Sequence, residues 1–110
     1  MKTLALVTDL MFGSRIAAEA KAAGAQVQIL RKPEQLAAAE GELLLADLNL
    51  NGAVEAAAQW QQKEGRRVIG FVSHVDSATI AAAREAGLQE IMARSRFIQI
   101  LPELLRAKNQ

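Results

Sequence analysis

The chain contains no cysteine, and among its 110 residues it has only two prolines, one tryptophan and one histidine. The lack of cysteine excludes disulfide bonds and thiolate metal sites. Basic and acidic residues nearly balance, 13 against 12, so charge gives no reason to expect nucleic acid or an anionic membrane as the main partner. No apolar run approaches the roughly 20 residues that are needed to cross a bilayer.

The first residues, Met1 to Val7, are apolar enough to suggest a signal peptide. Asp9 interrupts this run early, and no small-residue cleavage site follows it, so a strand is the better interpretation. About half of the residues are apolar, which at this length predicts one domain over residues 1–110. We expect a soluble cytoplasmic protein.

A helical pattern that ends in glycine and is followed by a strand-like run occurs four times, at Gly24, Gly41, Gly65 and Gly87. Glycine often follows the end of a helix because it adopts the left-handed conformation without steric cost. Short connections between alternating strands and helices predict right-handed βαβ crossovers. The predicted strands are 3–8, 26–30, 42–47, 67–73 and 89–93. The predicted helices are 13–23, 34–40, 52–64, 77–86 and a last one near 97–107.

This pattern predicts an α/β fold, a doubly wound five-stranded parallel sheet in the order 2-1-3-4-5 with helices on both faces. Strand 42–47 is apolar at successive positions, as expected of a central strand buried on both faces. Strand 26–30 alternates polar and apolar residues, as expected of an edge strand. Pro102 lies inside the last helical pattern, so we expect that helix to begin there or to be broken, with 97–100 as a separate turn.

Several polar residues follow the predicted strands: Asp9, Asp47, the pair Ser73 and His74, and the arginines Arg94 and Arg96. In open α/β sheets, ligands bind beyond the carboxyl ends of the strands. Two carboxylates at that edge could share a cation, and their hard oxygen ligands suit Mg²⁺. The alternative is that Asp9 and Asp47 are solvated loop acids or helix caps, and spacing alone leaves both interpretations open.

The whole chain resembles a CheY-like response-regulator receiver domain, which has a flavodoxin-like fold. The segments that carry this resemblance are Leu6-Val7-Thr8-Asp9, Leu44 to Gly52, Val68 to Ser73, Ala83 to Gly87 and Met92-Ala93-Arg94. The second segment includes Asp47-Leu48-Asn49-Leu50-Asn51-Gly52, where the family has the pattern Asp-Leu-x-Met-Pro-Gly.

The resemblance implies roles for five residues. Asp47 falls on the phosphoacceptor, and Asp9 falls on the second of two metal-binding acids. Asn49 falls on the position whose backbone carbonyl binds the metal. Ser73 falls on the hydroxyl that contacts the phosphoryl group, and Arg94 on an invariant lysine, with an alignment that is uncertain by one or two residues.

The chain also departs from the family pattern. Thr8 replaces the first acid, which removes one negative charge and predicts weak or absent Mg²⁺ binding. Arginine for lysine at position 94 keeps the charge but changes a compact ammonium into a planar fork. Ile91 stands where many receivers have a switch aromatic. His74 replaces a small residue and either crowds the pocket, titrates near neutral pH or caps the fourth helix.

Three hypotheses follow. The first is a stand-alone signalling receiver of a two-component or phosphorelay system, with a degenerate phosphorylation site at Asp47 and a histidine kinase or downstream signalling protein as partner. The second is a phosphorylation-independent pseudo-receiver that docks proteins. The third is a small enzyme that uses Asp9, Asp47, His74 and Arg94. The partner is a protein in the first two, no nucleic acid or membrane is expected, and a homodimer is a further option.

Two other features are expected to be structural. Trp60, in the third helix, is interpreted as a core residue. The basic pair Arg66 and Arg67 precedes strand 67–73 at the far end from the candidate site, and we expect both side chains to be solvated.

Overall fold

The computed structural model describes residues 2–73 and 76–108. Strands and helices alternate along this part of the chain. The strands are β1 (Lys2–Leu6), β2 (Gln26–Leu30), β3 (Leu43–Asp47), β4 (Arg67–Val72) and β5 (Glu90–Ala93). The helices are α1 (Leu10–Ala22), α2 (Ala53–Trp60), α3 (Ser77–Glu85) and α4 (Arg94–Lys108), and a 3₁₀ helix, Pro33–Ala38, connects β2 to β3.

The five strands form one parallel sheet in the order β2-β1-β3-β4-β5, which confirms the predicted topology. Strand β3 is central, and its residues Leu43–Ala46 are fully buried because both faces of the sheet are covered. Ala46 is level with Leu6 on one side and with Gly70 on the other. The chain therefore leaves β1, β3 and β4 at the same edge of the sheet, where the candidate residues follow.

Each face of the sheet carries its own apolar core. On one face, β-strand residues pack against the 3₁₀ helix, α2 and α3. On the other face they pack against α1 and α4. This second core contains three aromatic rings, of which Phe71 and Phe97 are stacked at 4.5 Å and Phe12 meets both edge-on at 5.3 and 5.9 Å.

Helix α1 begins at Leu10, three residues earlier than predicted. The reason is its N-cap, since the Asp9 side chain accepts hydrogen bonds from the first-turn amides of Met11 and Phe12. Such a cap satisfies donors that have no partner within the helix. The segment predicted as helix 34–40 is instead the 3₁₀ helix. The Gln35 side chain accepts hydrogen bonds there from the backbone amides of Arg31 and Lys32.

The prediction that Pro102 breaks or starts the last helix is wrong, because α4 continues from Arg94 to Lys108 with Pro102 inside it. A proline in a helix interior costs about 3 kcal/mol. Phe97, Leu101 and Leu105 recur every four residues and are fully buried. Burying a large apolar side chain contributes roughly 1.5–3 kcal/mol, so three of them outweigh the cost of the proline. None of the helices in the described part of the chain has the length and hydropathy of a membrane-spanning segment.

Trp60 is buried, as predicted, and its indole Nε1 donates a hydrogen bond to the carbonyl oxygen of Ala39. The prediction that Arg66 is solvated is wrong, since its side chain is only 11% exposed. Its guanidinium lies 4.4 Å from the Trp60 ring centroid and donates to the Trp60 carbonyl oxygen at 2.9 Å. Arg67 is also partnered, by a bidentate ion pair with Glu90 at 2.7 and 2.6 Å.

Candidate functional site

Asp9 uses both of its carboxylate oxygens within the protein. Its Oδ1 accepts hydrogen bonds from the amides of Met11 at 2.9 Å and Phe12 at 3.1 Å. Its Oδ2 lies 3.3 Å from Nη2 of Arg94, with which it forms an ion pair. Asp9 therefore caps α1, which was the alternative interpretation of this acid in the sequence. The same carboxylate also links the start of α1 to the start of α4.

Arg94 is held from two directions. The Asp9 carboxylate binds its Nη2, and its guanidinium carbon lies 3.8 Å from the centroid of the Phe12 ring. A cation over an aromatic face is attracted by the ring quadrupole, and the Arg94 side chain is 30% exposed. The ring of Phe12 is fixed in turn by its contacts with Phe71 and Phe97. The guanidinium is thus clamped between a carboxylate and an aromatic ring that belongs to the core.

The pKa of the Asp9 carboxyl group is lowered below its ordinary value. The largest cause is the hydrogen bond from the Phe12 amide, and the next is the hydrogen bond from Arg94. Both interactions favour the charged form of the acid. A group whose pKa is depressed by folding stabilises the folded state above its unfolded pKa, and this contribution is lost as the pH falls through the folded pKa.

We expect an NMR titration of the Asp9 carboxyl carbon to give a pKa below that of an ordinary aspartate, about 3.9. Arg94→Gln should raise this pKa only part of the way, because the hydrogen bond from the Phe12 amide remains. Arg84→Gln, on the exposed surface of α3, is the matched control and should leave the pKa unchanged. The stability that the Asp9 charge provides should decline as the pH falls below about 4, and this pH dependence should be absent in Asp9→Asn, whose side chain can still cap the helix. A full return to the ordinary pKa in Arg94→Gln would contradict this assignment of causes.

The other predicted residues form a second group at the same edge. Asp47 is the last residue of β3 and is half-buried, and its Oδ1 accepts a hydrogen bond from the Asn49 amide at 3.0 Å. This is the local turn that aspartate side chains favour. The Asn49 side chain then accepts a hydrogen bond from the Ser73 amide at 2.5 Å. The loop after β3 is therefore tied to the end of β4, and Ser73 itself is exposed.

The structure thus brings the predicted residues together in two groups, Asp9 with Arg94 and Asp47 with Asn49 and Ser73. Thr8, which the sequence resemblance aligns with the first acid, is exposed beside Asp9. Arg96 is exposed on the first turn of α4. His74 lies outside the described residues.

Among the described residues, the donor set at this edge is a weak one for a divalent cation. The predicted Mg²⁺ ligands were the carboxylates of Asp9 and Asp47 and the backbone carbonyl of Asn49. Both oxygens of Asp9 already bind amides and a guanidinium, and Thr8 offers a hydroxyl where the family has a carboxylate. Within residues 2–73 and 76–108, no group of three His, Cys, Asp or Glu side chains could hold a metal ion.

Sequence reasoning missed the role of Phe12, which provides the surface on which Arg94 lies. The available signal was its spacing, since Phe12, Ile16 and Ala20 recur every four residues and all three are buried. It also missed Leu10 and Met11, two large apolar residues that α1 exposes beside the site. Their place at the start of α1 became visible only once the N-cap at Asp9 fixed where that helix begins.

Comparison with known proteins gives similarity in structure and none in sequence. No protein-family model and no curated protein matches the chain. The chain is similar to a CheY-like response regulator receiver domain protein from Methanospirillum hungatei JF-1, with a TM-score of 0.76 and 14% identity over 99% of this chain and 98% of the other. An orphan response regulator of H. pylori also gives a TM-score of 0.76 and 14% identity, over 99% and 93%.

A response regulator from Burkholderia pseudomallei, solved with a phosphorylated aspartic acid, a calcium ion and citrate, gives a TM-score of 0.73 and 18% identity over 98% of this chain and 72% of the other. These similarities agree with the five parallel strands in the order 2-1-3-4-5 and their interleaved helices. The chain therefore has the CheY-like, flavodoxin-like fold of response-regulator receiver domains.

Proposed function

We propose that this receiver-like chain is a signalling domain that acts through protein contacts and does so without accepting a phosphoryl group. The observation that carries the proposal is the ion pair between Asp9 and Arg94. In this ion pair, the acid that would bind a metal is bound to the cation that would neutralise a phosphoryl group.

Transfer of a phosphoryl group to a carboxylate depends on the neutralisation of negative charge by metal ions and cationic side chains. Here Arg94 is fixed against Asp9 and the Phe12 ring. Moving it toward Asp47 would break the ion pair and the ring contact together. Thr8 supplies no charge to replace them, so among the described residues Asp47 has weak support as a phosphoryl acceptor.

Phosphorylation of Asp47 is the second candidate function. Its support is the place of Asp47 at the end of the central strand β3, half-buried. The Burkholderia pseudomallei protein that this chain resembles in fold was solved with a phosphorylated aspartic acid. In this case a histidine kinase would be the partner, and the hydroxyl of Ser73 and the guanidinium of Arg94 would contact the phosphoryl oxygens.

The third hypothesis, an enzyme, receives less support. It requires Asp9 and Arg94 as reactive groups, and these two side chains bind each other. It also requires His74, which lies outside the described residues. Docking through protein contacts is therefore the best-supported function.

Incubation with Mg²⁺ and acetyl phosphate, followed by intact mass measurement, tests the proposal. We expect no phosphoryl adduct, because the Asp9–Arg94 ion pair neutralises charge at the edge and the donor set is weak for the metal. A receiver domain that accepts phosphate from acetyl phosphate, mixed into the same sample, shows that the donor is active.

An adduct on this chain that is absent in Asp47→Asn would overturn the docking proposal in favour of the phosphoacceptor. An adduct that persists in Asp47→Asn would place the modification at another residue and would contradict both candidates.

A further inference from the structure

Asn51 and Gly52 are the one asparagine–glycine pair in the sequence. The family pattern has proline before this glycine, so the asparagine is a departure of this chain. Asparagine is among the thermolabile residues of proteins, because the main-chain nitrogen of the next residue can attack its side-chain carbonyl carbon. The attack is fastest when the next residue is glycine, which has no Cβ atom to crowd its own nitrogen. The pair is therefore a candidate for spontaneous chemical modification.

The pair occupies the corner of a β-turn at the start of α2. The Ala53 amide donates a hydrogen bond across this turn to the carbonyl oxygen of Leu50 at 3.0 Å. Gly52 has φ 86° and ψ −4°, close to the values for the third residue of a type II turn, so Asn51 is the second residue. Both residues of the pair are exposed, and water therefore reaches the two groups that would react.

The reacting groups are not held by hydrogen bonds. Within residues 2–73 and 76–108, neither the main-chain amide of Gly52 nor the side-chain amide of Asn51 has a hydrogen-bond partner. A Cβ atom placed on Gly52 would come no closer than 3.9 Å to Pro33, so the glycine also has space around it. The Gly52 nitrogen can therefore lose its proton to solvent and approach the Asn51 side chain without first breaking a hydrogen bond of its own.

Asn49, two residues earlier, provides a comparison within the same loop. Its side-chain oxygen accepts a hydrogen bond from the Ser73 amide at 2.5 Å, and the residue is half-buried. The amide that would attack Asn49 belongs to Leu50, which has a bulky side chain and donates to the Asp47 carbonyl oxygen at 3.4 Å. Reaction at Asn49 would break both hydrogen bonds. The structure thus distinguishes a protected asparagine from an unprotected one.

We propose that Asn51 is a deamidation site, at which the chain converts its own asparagine into aspartate and isoaspartate. In the first step, the Gly52 nitrogen forms a bond to Cγ of Asn51, and the bond between Cγ and Nδ2 breaks. The proton that the Gly52 nitrogen loses to solvent balances the proton that Nδ2 gains on leaving as ammonia. The product is a five-membered succinimide ring, and its closure is aided because both reactants are held in adjacent residues.

Water then opens the ring at either of its two carbonyl carbons. Cleavage of the new bond, between Cγ and the Gly52 nitrogen, restores the main chain and leaves an aspartate at position 51. Cleavage of the original peptide bond leaves isoaspartate, in which the main chain runs through Cγ and is one carbon atom longer. Both products carry a new carboxylate, which cancels the formal net charge of +1.

The two products should affect the fold differently. Position 51 directly precedes α2, whose N-cap residue, Gly52, has no side chain. A negative charge there is favoured by the helix dipole and by the free amides of the first turn, so the fold should tolerate aspartate. Isoaspartate lengthens the main chain between Asn49 and α2 and should loosen the turn. The inference is independent of the proposed function, since it involves neither Asp47 nor the Asp9–Arg94 ion pair.

Ageing of the purified full chain in mildly alkaline buffer tests the proposal. We expect a more acidic species to accumulate on ion-exchange chromatography, and tandem mass spectrometry should place the change at Asn51. Deamidation there should be about tenfold faster or more than at Asn49, because glycine leaves its own nitrogen unobstructed. The rate should rise with pH, since loss of the Gly52 amide proton creates the nucleophile. In heavy-oxygen water, each product should incorporate one heavy oxygen atom, as hydrolysis of a succinimide requires.

Asn51→Gln is the matched control, because glutamine keeps the side-chain amide but would have to close a larger ring. It should abolish the acidic species, and it should also abolish labelling of the aged chain by an isoaspartate methyltransferase with S-adenosylmethionine. Asn51→Asp should elute with the acidic species and unfold at the temperature of the fresh wild type.

A synthetic peptide of residues 47–55 verifies that the conditions allow deamidation in an unfolded segment. If the peptide deamidates while the folded chain stays unmodified, the turn protects Asn51 and the proposal is overturned. Equal rates at Asn49 and Asn51, or an acidic species that persists in Asn51→Gln, would also overturn it.

Discussion

Replacement of Phe97 by alanine is expected to lower the free energy of unfolding by about 3–5 kcal/mol. Phe97 is fully buried in α4 and is stacked on Phe71 at 4.5 Å. It also meets the edge of Phe12 at 5.9 Å. Removing this ring loses its burial and leaves a cavity that the sheet and α1 cannot fill without moving. Against a typical stability of about 5–15 kcal/mol for a domain, this is a large share.

Chemical denaturation of the wild type and Phe97→Ala measures the effect. Phe97→Leu is the matched control, because it keeps most of the apolar volume and should cost less than half as much. Ile98→Ala removes a half-buried neighbour and should cost less than Phe97→Ala. A loss in Phe97→Ala below about 1 kcal/mol, the usual size for an average substitution, would contradict the central position of the aromatic cluster.

Phe97→Ala should also change the geometry of the candidate site. The Phe12 ring that carries Arg94 is supported by Phe97. With that support removed, Arg94 should be held less firmly against Asp9. Core packing on the α1–α4 face therefore determines the geometry of the ion pair at the sheet edge.

The strand order could be predicted because the pattern of apolar residues within a strand indicates whether that strand is central or at an edge of the sheet. The run Leu43–Ala46 is apolar at every position, and only a strand covered on both faces buries all of it. The alternation in Gln26–Leu30 likewise marks an edge strand. Of the four glycines predicted to end helices, those at positions 24, 65 and 87 adopt positive φ, so these turns are also determined by the residue type, whereas Gly41 does not.

The features that could not be predicted from the sequence depend on contacts between residues that are distant in the chain. Whether α4 continues through Pro102 depends on three side chains packing against α1 and the sheet, which periodicity near a proline does not reveal. Arg66 lies over Trp60 because the 3₁₀ helix brings Ala39 and Glu40 within reach. Asp9 and Arg94 are 85 residues apart in sequence. Spacing could place both at the sheet edge, but it could not show that they bind each other.

The double variant Thr8→Asp, Arg94→Lys, which introduces a second acid and a lysine, is expected to bind Mg²⁺ more tightly than the wild type. Mg²⁺ is usually held by one or two carboxylates together with water. Thr8→Asp would add a carboxylate at an exposed position beside Asp9. Lysine has a compact, flexible and strongly hydrated ammonium, so it should leave the Phe12 ring and release Oδ2 of Asp9. Asp47 and the Asn49 carbonyl would then complete the oxygen ligands.

Thermal unfolding with increasing Mg²⁺ measures this gain. At a free concentration of 100 times the dissociation constant, binding stabilises the folded state by about 2.7 kcal/mol, which raises the unfolding temperature of a domain of this size by about 10 °C. The wild type should show a smaller rise, and so should the control Thr8→Asn, Arg94→Lys, which releases Asp9 but adds no acid. If the double variant fails to respond to Mg²⁺, then neither the missing acid nor the Asp9–Arg94 ion pair explains the weak donor set. If the wild type responds as strongly as the variant, then the ion pair opens readily enough for a metal to displace it. In that case the charge argument for a phosphorylation-independent domain no longer holds.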